Sequence, residues 1–162
     1  MSSSRTVTWE DPSALAELGR RMSGLDFLRK MVAGELPQPP LARLMNFGVS
    51  EIAEGRAVFT CEPGEYHYNP IGVVHGGVAA TLLDSAMGCA IHSLLPAGVG
   101  YTTLEIKVNF IRALSADSGT VRCEASVVHS GNKTATAEGK VFDAQNRLVA
   151  HGTTTCLILR GT

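Results

Sequence analysis

One stretch of the chain gathers residue types that could act together on a carbonyl. It reads Asn69-Pro70-Ile71-Gly72-Val73-Val74-His75-Gly76-Gly77, and Asp84 follows after six further residues. Asp84 stands within an otherwise apolar segment. A carboxylate drawn out of water into such surroundings is costly unless it is partnered. No Lys or Arg occurs between Arg56 and Asp84, or between Asp84 and Lys107, so no salt bridge local in sequence accounts for it. Accepting hydrogen bonds from a neighbouring strand is one explanation. A functional role is the other, and the preferred one, because buried carboxylates with perturbed pKa concentrate at active sites. Gly76-Gly77 opens a helical pattern, where the first-turn N–H groups are unpaired and carry partial positive charge. Glycine lets a substrate approach that backbone closely, so this is a ready oxyanion site. Taken singly, His75 reads as a packing or capping residue and Asn69 as a turn residue.

Spacing then constrains how these groups could cooperate. Gly76 and Asp84 are eight residues apart, or roughly 12 Å along a helix axis. One carbonyl cannot touch both. If both act on one substrate, the second must come from another copy of the chain, as a two-fold dimer with two equal sites would provide.

The elements that must position these residues follow from periodicity. Asp11-Pro12-Ser13 opens a helix whose apolar stripe is Leu15, Leu18, Met22, Leu25 and Val32, with a break at Ser23-Gly24. Three prolines between Leu36 and Pro40 end it. Residues 1–40 thus form a helical arm, and residues 41–162 the main domain. Leu44 to Ile52 and Arg56 to Cys61 are expected strands joined at Glu54-Gly55. A loop with Tyr66, His67 and Tyr68 precedes a helix from Gly76 to Leu95, apolar on nearly every face and so expected to be buried on all sides. Four alternating segments follow. Leu104, Ile106, Val108 and Phe110 share one face in the first. The others cover Val121 to Val127, Thr134 to Phe142 and Leu148 to Leu159, with a hairpin signal at Ser130 to Lys133. The expected fold is α+β, an antiparallel sheet of about six strands, close to the usual sheet size, around one buried helix.

Composition excludes several classes. The 162 residues carry 14 Lys plus Arg against 15 Asp plus Glu, with no basic run, so no nucleic-acid surface is expected. Cys61, Cys89, Cys123 and Cys156 form no C-x-x-C pair. They read as small buried hydrophobes in a reducing compartment rather than as a metal site or a disulfide framework. No secretory h-region and no run of membrane-spanning length is visible. The expectation is a cytoplasmic protein with no membrane partner.

The pattern Asn-x-x-Gly-x-x-His-Gly-Gly-x6-Asp resembles that of the hotdog-fold acyl-CoA thioesterases of the phenylacetate-degradation type, and the resemblance extends over about Leu25 to Leu159. It implies a sheet wrapped around a central helix, a homodimer or homotetramer, an active site at the dimer interface, and hydrolysis of acyl-CoA to carboxylate and CoA without metal or cofactor. It assigns Asp84 as general base or nucleophile and the Gly76 N–H as oxyanion donor. Asn69 would hold the carbonyl or the attacking water, and His75 would orient substrate near the sulfur. Thr103, or Thr102 beside it, would assist the water. Gly72 and Gly77 complete the substrate-binding loop. Arg112, Lys133 and Lys140 are candidates for the CoA phosphates. The acyl group would lie between the central helix and the Tyr66–Tyr68 loop.

Two alternatives belong to other classes. One is a hydratase or dehydratase of the same fold, whose relatives resemble a motif with wider His-to-acid spacing and a Pro-rich stretch absent here. The other is a non-catalytic acyl-CoA-binding protein, for which an acidic residue beside an oxyanion donor has no use.

Overall fold

The computed structural model describes residues 2–160. Its N-terminal arm is two helices. The Asp11 carboxylate accepts the Ser13 N–H at 2.9 Å and caps α1 (Pro12–Arg21). Met22 is extended, and the Ser23 hydroxyl accepts the Asp26 N–H to cap α2 (Gly24–Val32). The break expected at Ser23-Gly24 is therefore a cap-to-cap junction. Leu15, Leu28 and Met31 turn inward.

Leu44 and Met45, expected in the first strand, instead end a short helix, α3 (Pro40–Met45). Pro40 at its first position is pre-set for helical φ. Asn46, in the left-handed region at φ 53°, stops it, and the Asn46 side-chain amide donates to the Glu62 carbonyl. The first strand, β1 (Phe47–Ala53), begins only there, and β2 (Arg56–Cys61) returns antiparallel to it.

The central helix α4 (Gly76–His92) precedes β3 (Val99–Phe110), β4 (Val121–Ser130), β5 (Thr134–Phe142) and β6 (Leu148–Arg160). All pairings are antiparallel, in the order β1-β2-β4-β5-β6-β3. This is the hotdog architecture, one six-stranded sheet curled about one long helix. Gly139 and Gly152 stand opposite each other in the register. A Cβ on Gly139 would sit 2.9 Å from Leu83 Cδ2, so the bare backbone there lets α4 lie close against the sheet.

Two further expectations are corrected. The first is that α4 is buried all round. Val78, Leu82, Leu83, Ala86, Met87, Ala90 and Ile91 are buried, but Asp84 is exposed in the single chain, and Gly77, Ala80, Thr81 and Ser85 are half-buried. Those residues recur at three- and four-residue spacing and form one outward stripe. Glycine and alanine kept that stripe from showing in the hydropathy pattern. The second is strict alternation in β3. The register with β6 shifts between Thr103 and Glu105, so Leu104 is the extra residue of a bulge. Leu104 is 57% exposed, whereas Tyr101, Ile106 and Val108 pack against the core.

Candidate active site

The bulge matters because it puts Thr103 on the helix side of the sheet. The Thr103 hydroxyl donates to Asp84 Oδ1 at 2.9 Å. Asp84 projects from the third turn of α4 and Thr103 from the edge strand. These two residues, separate in the sequence, thus become neighbours, and Thr102, the alternative, is exposed. Asp84 and Thr103 border a cavity of about 520 Å³ whose other walls are mostly apolar.

The helix N-terminus holds a second group. His75 caps α4, its Nδ1 accepting the Gly77 N–H at 2.8 Å and its carbonyl the Val78 N–H at 2.9 Å. Among the described residues, the Gly76 N–H has no such acceptor. The cap therefore ties back its neighbours and leaves that one donor free. A Cβ at Gly77 would come within 2.8 Å of His75 Nδ1, and one at Gly76 within 3.1 Å of Phe110. Both glycines are thus explained by close approach. Asn69 is a turn residue, as its type suggested, and it also borders the same cavity as His75 and Gly76. Its Oδ1 accepts the N–H groups of Ile71 (3.1 Å) and Val73 (3.4 Å), which leaves its Nδ2 as a donor. Gly72, at φ +82°, makes the turn possible. Asn69, His75, Gly76 and Arg112 line one cavity of about 310 Å³.

This cavity and the one beside Asp84 have no lining residue in common. Within one chain the candidates therefore fall into two half-sites, on the two ends of the first half of α4. Lys133 and Lys140 join neither. Lys133 lies in the β4–β5 turn, where its carbonyl accepts the Ile158 N–H. Lys140 shares a small polar cleft with Arg56, Glu124 and Glu138, and flanking carboxylates make that cleft a poor phosphate cradle. The Tyr66–Tyr68 loop also misses Asp84. It lines a separate cavity of about 570 Å³ together with His75, Gly77 and Thr81.

The groups around Asp84 that the sequence did not single out are Cys89, His92 and Tyr101, together with the inner faces of α1 and α2. His92 packs between Phe27 and Tyr101 with its ring tilted to both, at centroid separations of 6.1 and 5.5 Å. Burial holds its imidazole below the usual histidine range, and pushes the Cys89 thiol up to about 12. Neither group is poised to ionise. The apolar stripe of the arm was the available signal, and it is indistinguishable in sequence from ordinary packing. All four cysteines are free, and no cluster of metal-ligating side chains occurs among the described residues. No helix there is long and apolar enough to cross a membrane.

A hotdog sheet with an acid on the central helix and a glycine pair at that helix's N-terminus defines a class, and comparison with known proteins gives the family. Residues 71–150 match the Thioesterase superfamily. A candidate esterase of Archaeoglobus fulgidus is 31% identical over 68% of this chain and 69% of its own. A candidate esterase of Halobacterium salinarum is 40% identical over 47% of this chain, a match that spans 46% of that relative's length. The 1,4-dihydroxy-2-naphthoyl-CoA hydrolase of Listeria monocytogenes is 29% identical over 67% of this chain and 87% of its own. Among solved structures, a conserved protein of Pseudomonas aeruginosa superposes with a TM-score of 0.70 at 34% identity, covering 75% of this chain and 95% of its own. A phenylacetic acid degradation-related protein of Ralstonia eutropha, described as a candidate thioesterase, gives 0.72 at 25% identity over 80% and 98%. The chain belongs to the thioesterase superfamily.

Proposed function

We propose that this protein hydrolyses acyl-CoA thioesters to the free acid and CoA, at two equal sites shared across a homodimer. The observation that carries the reading is the Thr103–Asp84 hydrogen bond at the mouth of an apolar cavity. It places a carboxylate and a hydroxyl together where a water and a thioester carbonyl could meet. Asp84 acts as the general base. Thr103 orients the water, whose proton passes to Asp84 as its oxygen attacks the thioester carbon. The Gly76 N–H of the other subunit, with Asn69 Nδ2, takes the charge developing on the carbonyl oxygen. Collapse of the tetrahedral intermediate expels the CoA thiolate, a leaving group that needs little help. Arg112, beside Asn69 and Gly76, is the strongest of the three basic candidates for a CoA phosphate. The CoA-ester substrate of the Listeria relative supports the class of substrate.

Dimerisation is supported by three features. The half-sites are separate in one chain. The outward stripe of α4 is small and uncovered. And β3 is a 12-residue edge strand, carrying exposed Leu104 and Phe110, of the kind that is usually paired or protected. A tetramer, a dimer of such dimers, is compatible with these features. Four free cysteines favour the reducing cytoplasm.

Asp84→Asn tests the assignment. The amide keeps the size and the bond from Thr103 but loses the basic oxygen, so kcat should fall about 10²- to 10⁴-fold. KM should barely move, because CoA is held elsewhere. Release of free thiol from an acyl-CoA panel is the readout. Turnover within about threefold of wild type would remove Asp84 from the chemistry.

A further inference from the structure

We propose that the N-terminal arm is the end wall of the acyl pocket, and that Phe27 and Met31 set how large an uncharged acyl group the enzyme accepts. This rests on the thioesterase reading, and adds to it the site's substrate class and a specificity element outside the family match at residues 71–150.

The cavity beside Asp84 and Thr103 runs from that pair to the inner faces of α1 and α2, where Leu15, Phe27, Leu28 and Met31 close it. Its volume of about 520 Å³ lies within the range of small-molecule sites. Ligand sites are concave and mostly apolar with a few polar groups, and an apolar cleft of this size opening on a carboxylate suits the tail of the molecule whose thioester carbon the activated water attacks. Charge sharpens the identification. Asp84 at the mouth is the one acidic residue lining the cavity among the described residues, no Lys or Arg lines it, and burial holds the His92 imidazole below the usual histidine range. No Lys or Arg there would pair with a carboxylate on the acyl tail, and the Asp84 side chain disfavours one.

The arm is built as a wall and not as a flap. The Gly24 N–H donates to the Leu95 carbonyl and the Gly98 N–H to the Arg20 carbonyl, both at 3.0 Å. Gly24 lies so close to the His92 carbonyl that a Cβ there would overlap it at 1.9 Å. The helix junction is thereby pinned to the C-terminal end of α4, and the Phe27 ring rests against His92. Side chains on such an element limit length by steric exclusion.

Two variants with opposite expected effects test this. Phe27→Ala opens the end wall. Ala16→Trp adds bulk from an exposed position that lines the same cavity, so it should not threaten folding. The panel is acetyl-, hexanoyl-, decanoyl-, palmitoyl- and succinyl-CoA. Relative to acetyl-CoA, kcat/KM for the longest accepted chain should rise at least about tenfold in Phe27→Ala and fall by about as much in Ala16→Trp. Succinyl-CoA should be the poorest substrate of its size. A relative preference that moves less than about threefold in both variants overturns the proposal. Calorimetric binding of S-hexyl- and S-hexadecyl-CoA thioethers separates it from the catalytic reading. Should the wild type hydrolyse nothing, the thioesterase reading falls. The arm is then still judged by whether the two variants shift thioether affinity in opposite directions, and affinities that ignore tail length overturn it.

Discussion

The Thr103 hydroxyl has a choice of acceptors and uses Asp84 Oδ1 at 2.9 Å; the Cys156 sulfur, at 4.0 Å, is a distant second. In the proposed mechanism that bond makes it a positioning group for the carboxylate as well as for water. Thr103→Val keeps the branched shape and deletes the donor. A hydrogen bond to a charged group is worth about 1.5–3 kcal/mol, so kcat should fall about ten- to hundredfold with little change in melting temperature. Thr103→Ser should recover most of the loss. A Val variant as active as the Ser variant would show that the hydroxyl is idle. At this scale the sequence was legible for the helix N-terminus, because glycines and a capping residue announce themselves by type and order. It was less legible for Asp84. A lone carboxylate among Ala, Gly, Leu and Met reads as buried, yet the stripe it shares with Gly77, Ala80 and Thr81 faces outward. The case for Asp84 therefore rests on its partner and its cavity, not on burial.

Elements were read best where local rules dominate. The strand Arg56–Cys61 and the helix start at Gly76 coincide with the expected positions, since turn glycines and capping residues mark their ends. What escaped were features set by neighbours. Helix α3 depends on Pro40 and on the left-handed Asn46, and the β3 bulge exists only relative to β6. The arm's seat on α4 is of the same kind, and it is testable. Gly24 occupies the first position of α2, and a methyl there meets the backbone of His92, which no rotamer change can relieve. Gly24→Ala should therefore destabilise by about 1–3 kcal/mol, the usual range for overpacking, measured by urea unfolding. Gly19→Ala is the control. Its Cβ would lie 3.4 Å from the Phe27 ring, ordinary contact, and helix propensity favours alanine by about 1 kcal/mol. Equal effects in the two variants would mean that the junction is not tightly seated.

At the scale of the whole molecule, the two half-sites ask for a second chain. If Gly76 and Asp84 act on one substrate, as proposed, their spacing on one helix calls for it, and the separate cavities are consistent with that. Sedimentation alone would show association without showing a shared site, so the sharper test is complementation. Asp84→Asn removes the base. Gly76→Pro removes the proposed oxyanion donor at the first helical position, where proline is well tolerated. His75 before it is already extended, at ψ 135°, as a pre-proline residue should be. The nearest atoms that the added carbons would meet belong to the Phe110 side chain and not to backbone. Each homodimer should be nearly inactive. In a heterodimer isolated with two affinity tags, one site combines both substitutions, while the other takes its aspartate from the Gly76→Pro chain and its glycine from the Asp84→Asn chain. That second site is wild type, and about half of wild-type activity should return, as two-fold symmetry demands. If both groups acted within one chain, every site in the heterodimer would carry a defect and no activity would return.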